Sequence, residues 1–122
     1  MEPLPAIEAP KLVLTLLNNL YEIERKLSLH GDPGNAGKNV EKIKDCCRDE
    51  GFFYEDPLAQ PFRETRTDLE ATISGQGTEN LVVAEVIKPI IRIGRAELSR
   101  VVQKGIVIVQ SEQKGVHDEQ DD

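Results

Sequence analysis

The apolar positions in the first part of the chain follow a helical period. From Lys11 to Leu29, apolar residues recur at alternating spacings of three and four, which predicts an α-helix with an apolar seam along one face. Gly31, followed by Asp32-Pro33-Gly34, combines a helix C-cap with a turn sequence, so the helix is expected to end there. The members of the seam are Val13, Leu16, Leu20, Ile23 and Leu27.

A second, shorter helix is predicted from about Gly37 to Glu50. Val40, Ile43 and Cys47 would share one face of it, and Gly51 would end it. The two helices then form a hairpin with two narrow apolar stripes. A second copy of the chain would bury these stripes, and so would packing of both helices on the chain's own sheet. The sequence leaves both arrangements open.

After Gly51 the pattern changes to short β-prone runs separated by turn residues. The prolines at 57 and 61 confine Asp56–Phe62 to an extended or turning path, and Pro89 restricts the run that follows it to a sheet edge or a bulge. Gln103-Lys104-Gly105 predicts a hairpin between the last two runs. The predicted strands are Phe52–Tyr54, Asp68–Ile73, Leu81–Ile87, Ile90–Ile93, Leu98–Val102 and Ile106–Val109.

This order of elements predicts an α+β fold, with a helical hairpin followed by a small antiparallel β unit. We divide the chain into a flexible lead-in (residues 1–9), a helical dimerisation region (10–51), the β unit (52–110) and a tail (111–122). The tail is acidic and almost free of apolar residues, so it is expected to be disordered.

Charge and length restrict the kinds of partner. The formal net charge of −7 opposes nonspecific binding of nucleic acid, which depends on Lys and Arg. No stretch approaches the roughly 18 apolar residues of a membrane span. The first residues, Met1-Glu2-Pro3-Leu4-Pro5, lack the basic and apolar parts of a secretory signal. We therefore expect a cytoplasmic protein that binds neither nucleic acid nor membranes.

No arrangement of residues typical of catalysis is evident. A nucleophilic centre needs a histidine beside its nucleophile, and His30 and His117 fall in a turn and in the tail. The adjacent Cys46 and Cys47 are expected to be half-buried thiols of the second helix, because neighbouring cysteines seldom pair and a zinc site needs more ligands. The glycines at 75 and 77 lack the Lys-Ser/Thr of a phosphate-binding loop. We expect no enzyme, cofactor or metal ion.

Several segments resemble the C-terminal part of GrpE-type nucleotide exchange factors, the partners of DnaK-type chaperones. The most specific is Asp56-Pro57-Leu58-Ala59-Gln60-Pro61-Phe62, which is similar to that family's Asp-Pro-Leu-x-x-Pro-Phe signature. The similarity covers residues from about 12 to 110. The other similar segments are Leu16–Leu20 with Glu22, Glu50-Gly51-Phe52, Glu70-Ala71, Val82–Lys88, Gly94-Arg95 and Val107–Val109.

The resemblance implies a homodimer whose helices form a bundle and whose β unit projects against the nucleotide-binding domain of the chaperone. Binding would open that domain and release ADP, while the exchange factor itself holds no nucleotide and breaks no bond. The helical seam would then serve dimerisation. The residues expected to contact the chaperone are Arg95, Gly94, Arg92 and Lys88, and those expected in the core of the β unit are Phe52, Leu58 and Phe62.

The chain also differs from the family pattern. Leu69 replaces a histidine that usually precedes the Glu-Ala pair, and Lys88-Pro89 replaces a Lys-Gly pair. Gln103-Lys104-Gly105 offers a second register for that Lys-Gly element. The resemblance does not include the family's long N-terminal helix. A dimeric adaptor of the same fold, without exchange activity, is therefore the alternative function.

Overall fold

The computed structural model of the protein describes residues 9–112. Its helices are α1 (Lys11–His30) and α2 (Gly37–Asp49). They run in opposite directions side by side, so that Gly37 lies next to Leu27, and Lys44 of α2 pairs with Glu24 of α1. Both predicted helices are thus confirmed. The predicted lead-in and acidic tail fall outside the described residues, except for residues 9, 111 and 112.

The turn between the helices is built from the residues that predicted it. Gly31 takes a φ of 90°, and its amide donates to the Leu27 carbonyl oxygen over 2.8 Å, which ends α1. The Asp32 carboxylate then accepts hydrogen bonds from the backbone amides of Ala36 and Gly37 over 2.7 and 2.9 Å. These are free amides at the start of α2, so Asp32 stabilises the beginning of the second helix.

The strands of the described chain are β1 (Phe52–Glu55), β2 (Leu69–Ile73), β3 (Leu81–Lys88), β4 (Ile90–Ile93), β5 (Arg100–Gln103) and β6 (Gly105–Ser111). They form two three-stranded sheets, with the strand orders β1-β4-β5 and β2-β6-β3. The chain crosses from the second sheet to the first at Pro89 and returns at Lys104. The α+β class and the order of helices before strands are therefore confirmed.

One pairing departs from the antiparallel prediction. Strand β2 pairs with β6 in parallel, from Leu69 opposite Gly105 to Ile73 opposite Val109, while the other strand pairs are antiparallel. Parallel neighbours need a crossover connection, and here the chain between β2 and β6 passes through β3, β4 and β5.

The predicted hairpin at Gln103-Lys104-Gly105 is wrong, because β5 and β6 belong to different sheets. Gly105 is instead a point of close packing, where an added Cβ would lie 2.8 Å from Leu69 and 3.0 Å from Ile90. Of the two positions predicted for Ile90–Ile93, the sheet edge is wrong, since β4 is the central strand of its sheet, whereas the bulge is present as a register shift against β5 between Ile91 and Arg92. Pro89 lies at the crossover between sheets, so its missing N–H interrupts no ladder.

The two crossovers are joined to α1 by side-chain amides. The Gln103 amide nitrogen donates to the Pro89 carbonyl oxygen over 3.0 Å and to Asn18 Oδ1 over 2.9 Å. The Asn18 amide nitrogen donates back to Gln103 Oε1 over 3.0 Å. One residue of α1 therefore holds both points at which the chain changes sheets.

The apolar core lies on both sides of β4. Ile91, which is fully buried, faces the helices, and Ile90, at 1% exposure, faces the other sheet. The cluster under the helices contains Leu17, Leu20, Val40 and Ile91. The cluster against the other sheet contains Tyr21, Leu69, Val83, Val86, Ile90, Val107 and Val109.

The predicted helical seam is split between core and surface. Leu20, at 3% exposure, packs with Val40 and Ile91 of its own chain, so it cannot belong to a surface seam. Val13 and Leu16 pack partly against the same cluster, and Leu27 is partly buried. Ile23 is 40% exposed. Packing on the chain's own sheet therefore accounts for much of the stripe.

The Asp56–Phe62 segment, called the strap below, runs along the outer edge of β3. The Ala59 amide donates to the Val83 carbonyl oxygen over 2.9 Å, and the Val83 amide donates to the Gln60 carbonyl oxygen over 2.9 Å. The Phe62 amide donates to the Leu81 carbonyl oxygen over 2.8 Å. The strap thus supplies hydrogen-bond partners to the first half of β3, whose edge would otherwise be free.

Candidate functional site

The predicted chaperone-contact residues are spread along the length of β4. Lys88 ends β3, before β4 begins, whereas Gly94 and Arg95 follow the end of β4. A four-residue strand is about 13 Å long. Lys88 therefore lies at the opposite end of β4 from Arg95, and only Gly94 and Arg95 share a turn.

The side chain of Arg92 forms ion pairs with two carboxylates of the same chain. Its Nε donates to Glu55 Oε1 over 2.8 Å, its Nη2 lies 3.5 Å from Asp68 Oδ2, and its side chain is 22% exposed. Arg66 holds Asp68 in a two-pronged pair, with distances of 3.0 and 2.9 Å. The Arg66 hydrogen bonds, together with the positive charges of Arg66 and Arg92, keep the pKa of Asp68 below its usual range despite partial burial. Arg92 was expected to contact the chaperone, and in the structure its guanidinium instead pairs with Glu55 at the end of β1 and with Asp68 just before β2.

Gly94 has a conformational role. Its φ is 127°, a region that residues with a Cβ rarely adopt, and an added Cβ would lie 2.7 Å from the Cα of Ser99. Its amide donates to the Gly51 carbonyl oxygen over 2.7 Å, which holds the end of β4 beside the end of α2. Gly94 thus sets the direction in which the chain leaves β4.

Arg95 and Leu98 are exposed on the β4–β5 connection (residues 94–99). Leu98 is 86% exposed and follows Arg95 in a short 3₁₀ turn, Ala96–Leu98. Within residues 9–112, Arg95 forms no ion pair under 4.0 Å. Sequence reasoning missed Leu98 because it was assigned to a strand, whereas β5 begins two residues later, at Arg100.

An open cleft of about 680 Å³ lies beside this connection. It is lined by Arg48 and Asp49 at the end of α2, by Phe53 of β1, and by Gly94 and Arg95 of the connection. Arg48 is 55% exposed in its side chain, and its pair with Asp45 is a surface contact of 3.5 Å. The cleft is therefore lined by two arginines, one aspartate and an aromatic ring.

A cluster of tyrosines and carboxylates joins the helices to the β unit. The Tyr21 hydroxyl donates to Asp56 Oδ1 over 3.0 Å, and the Tyr54 hydroxyl donates to Glu24. The two rings meet edge to face, with centroids 5.7 Å apart and an interplanar angle of 83°. Lys44 lies 3.1 Å from Glu24 and 4.9 Å from the centre of the Tyr54 ring.

The protonation of this cluster follows from its surroundings. Burial, together with the adjacent carboxylates, raises the pKa of Tyr21 and Tyr54 well above the ordinary tyrosine value. Burial opposes ionisation of Glu24, yet hydrogen bonds from Tyr54 and Lys44 outweigh it and lower the pKa of that carboxyl. Both tyrosines therefore stay protonated at neutral pH, as donors that hold the carboxylates in place.

The cysteines and His30 lie on the helical part of the protein. Cys46 is exposed and Cys47 is partly buried, and burial raises the pKa of the Cys47 thiol. Both are free thiols of α2, but the predicted half-burial holds for Cys47 and is wrong for Cys46. His30 is exposed at the end of α1. Within residues 9–112, no group of three or more His, Cys, Asp or Glu side chains is placed to hold a metal ion.

Comparison of the chain with models of known protein families, with curated proteins and with solved structures gave no match. Among the helices that the structure describes, none is both long enough and apolar enough to cross a membrane.

Proposed function

We propose that the protein is a co-chaperone that binds the nucleotide-binding domain of a DnaK-type chaperone through its β unit and promotes release of ADP. The observation that carries the proposal is the β4–β5 connection, which exposes Arg95 and Leu98 beside an open cleft. The choice of partner rests on the resemblance of the strap and of Gly94-Arg95 to GrpE-type exchange factors.

The exposed groups suit a protein-binding surface. Arginine is enriched at binding hot spots because its guanidinium can bond a carboxylate with two parallel hydrogen bonds. A leucine that is 86% exposed loses most of its water contact when a partner covers it, which favours association. Arg48 and Phe53 extend the same surface across the cleft.

Exchange would follow from a population shift. If the protein binds the open form of the chaperone domain better than the closed form, it lowers the affinity of that domain for ADP by the same factor. No group of the co-chaperone has to touch the nucleotide, and no bond is broken.

A homodimer is part of the proposal. The outer face of the helical hairpin carries apolar side chains that the chain itself leaves partly uncovered, with exposures of 76% for Leu12, 40% for Ile23 and 38% for Ile43. Burial of this face between two copies would remove apolar surface from water. The seam is then formed by the outer residues, without Leu20.

The proposal is tested by release of a fluorescent ADP analogue from a DnaK-type chaperone, followed by stopped flow with and without the protein. We expect faster release, and we expect Arg95→Ala and Leu98→Ala each to reduce the effect at subsaturating protein by about tenfold, as loss of a hot-spot side chain does. Arg63→Ala is the matched control, because Arg63 is exposed and lines a different pocket, together with Asn80 and Glu112.

The alternative is a dimeric adaptor of this fold, and one observation favours it. Arg92 is held by Glu55 and Asp68, so one of the cations expected at the chaperone contact is not free. Binding to the chaperone domain without faster ADP release at saturating protein would indicate the adaptor. Absence of binding would exclude both functions on this partner.

A further inference from the structure

A second cleft lies between the latter half of α1 and β3, next to the strap, and has a volume of about 430 Å³. It shares no lining residue with the cleft beside Arg95. Tyr21 and Val86, which are 3% and 2% exposed, lie at its base. Leu29 of α1 and Leu58 of the strap flank it and are 72% and 50% exposed. A single exposed leucine is common on protein surfaces and needs no explanation. Two exposed leucines beside the same apolar cleft form a patch, which is typical of a binding site.

Leu58 is held in its exposed position by a constrained turn. The Gln60 amide donates to the Pro57 carbonyl oxygen over 3.1 Å, and Ala59 has a φ of 69°, the sign that the third residue of a type II turn requires. The Leu58 amide donates to Asp56 Oδ1 over 3.1 Å. Leu58 was expected in the core of the β unit, and the structure corrects this, since the buried residue of the turn is Pro57.

One arginine lines the cleft, Arg25, and its Nη1 is engaged within the chain. Arg25 Nη1 donates to the Val86 carbonyl oxygen over 3.1 Å and lies 3.5 Å from Glu22 Oε2. Its guanidinium carbon is 5.9 Å from the centre of the Tyr21 ring. Arg25 is therefore anchored to β3, and Glu22 partly offsets its charge.

Two carboxylates of the cleft remain open. Asp56 uses only Oδ1 for its hydrogen bonds within residues 9–112, which leaves Oδ2 available. Glu85 forms no ion pair under 4.0 Å and no side-chain hydrogen bond within the same range. By contrast, Glu24 is bound by Lys44 and Tyr54. The lining carries three carboxylates, Glu24, Asp56 and Glu85, and one arginine, so the charge of the cleft is negative, like the net charge of −7 on the whole chain.

We propose that this cleft binds an extended segment of a partner protein in which an apolar side chain stands next to arginine or lysine. The apolar side chain would enter between Leu29 and Leu58, and the cation would pair with Asp56 Oδ2 or Glu85. Negative charge on the chain as a whole would favour the approach of such a segment. This surface is separate from the Arg95 turn, so the inference does not depend on the proposed exchange activity.

The test uses the full chain and a fluorescein-labelled peptide of ten residues, with a core of alternating leucine and arginine between glycine and serine. Fluorescence anisotropy measures its binding. Two control peptides replace either every arginine by glutamate or every leucine by serine. We expect Leu58→Ser and Glu85→Gln each to weaken binding of the leucine–arginine peptide by about tenfold. Leu98→Ser and Glu79→Gln, at exposed positions outside the cleft, should leave binding unchanged.

Amide chemical shifts of the ¹⁵N-labelled protein locate the bound peptide. We expect the largest changes in residues 25–29, 56–59 and 84–86. The inference is overturned if the leucine–arginine peptide does not bind at about 1 mM, or if the glutamate peptide binds equally well. It is also overturned if the shift changes fall on the outer face of the helices or on the β4–β5 connection. All the variants change exposed side chains, so we expect them to fold. Circular dichroism of each variant distinguishes loss of binding from unfolding.

Discussion

The Tyr21 hydroxyl and the Leu58 amide both donate to the same oxygen of Asp56, over 3.0 and 3.1 Å. Through this oxygen, α1 fixes the strap. Tyr21→Phe removes one donor and leaves ring packing intact, so we expect the free energy of unfolding to fall by about 1–2 kcal/mol. Urea unfolding measures the change. Asp56→Asn keeps an acceptor at the same place and should cost less, and a larger cost for Asp56→Asn would contradict this account of the bond.

The tyrosines give a prediction at alkaline pH. The chain has two tyrosines, Tyr21 and Tyr54, and burial raises the pKa of both. Because the unfolded chain loses these protons first, near pH 10, their contribution to stability is complete below that pH and decreases as the pH rises above it. We expect phenolate absorbance at about 295 nm to appear only together with unfolding, followed by circular dichroism. Reversible ionisation of either tyrosine near pH 10 in the folded protein would refute this.

Asp68 gives the corresponding prediction at acid pH. Its pKa is lowered chiefly by the hydrogen bonds from Arg66, so its contribution to stability is present above the ordinary aspartate pKa of about 4 and is lost as the pH falls through its lower folded value. Asp68→Asn should lower the free energy of unfolding at pH 7 by about 1–2 kcal/mol and reduce its pH dependence below about pH 4. Denaturant titrations at several pH values test both effects. An unchanged pH dependence would show that the Arg66–Asp68 pair contributes nothing to acid sensitivity.

The turn of the strap should tolerate glycine. Ala59 has a φ of 69°, which costs a residue with a Cβ about 1–2 kcal/mol, while glycine loses about 0.5–1 kcal/mol more entropy on folding. We therefore expect Ala59→Gly to raise the free energy of unfolding by about 0.5 kcal/mol. Ala84→Gly is the matched control in the exposed part of β3, where the same change should destabilise the protein. Equal effects at both positions would contradict the role given to the backbone of Ala59.

In the apolar stripe of α1, Leu20 lies in the core and Ile23 lies at the surface, so substitutions at the two positions should have different effects. Leu20→Ala should cost about 2–5 kcal/mol, because Leu20 is 3% exposed within its own chain. Ile23→Glu, at a position that is 40% exposed, should leave the fold intact and weaken the proposed dimer. Sedimentation equilibrium at several concentrations measures the dimer, with Leu29→Glu as a control on the cleft side of α1. A wild-type chain that stays monomeric at high micromolar concentration would remove the homodimer from the proposal.

Local patterns predicted the elements because local chemistry forms them. The spacing of the apolar residues predicted α1, and Gly31 predicted where it ends. The β-prone runs predicted the approximate positions of the strands. Pairing was harder, since β2 and β6 are joined in parallel through residues that are far apart in sequence, such as Ile73 and Val109. No local signal encodes that register.

The candidate site was only partly predictable for the same reason. Arg92 and Arg95 look alike in the sequence, and what distinguishes them is Glu55 and Asp68, which come from other parts of the chain. Leu58 was assigned to the core from its apolar character, whereas the backbone of the strap turns it outward. Exposure depends on contacts that a one-dimensional pattern does not contain.

The position of both crossovers next to Asn18 has a consequence for how the protein unfolds. Neither sheet is built from one continuous stretch of sequence. The chain passes from β3 of one sheet to β4 of the other at Pro89, and it passes back from β5 to β6 next to Gln103. Proteolytic cleavage between the sheets would therefore separate strands that depend on each other. For the same reason, in the intact protein the backbone amides of both sheets should exchange with solvent deuterium in one cooperative opening.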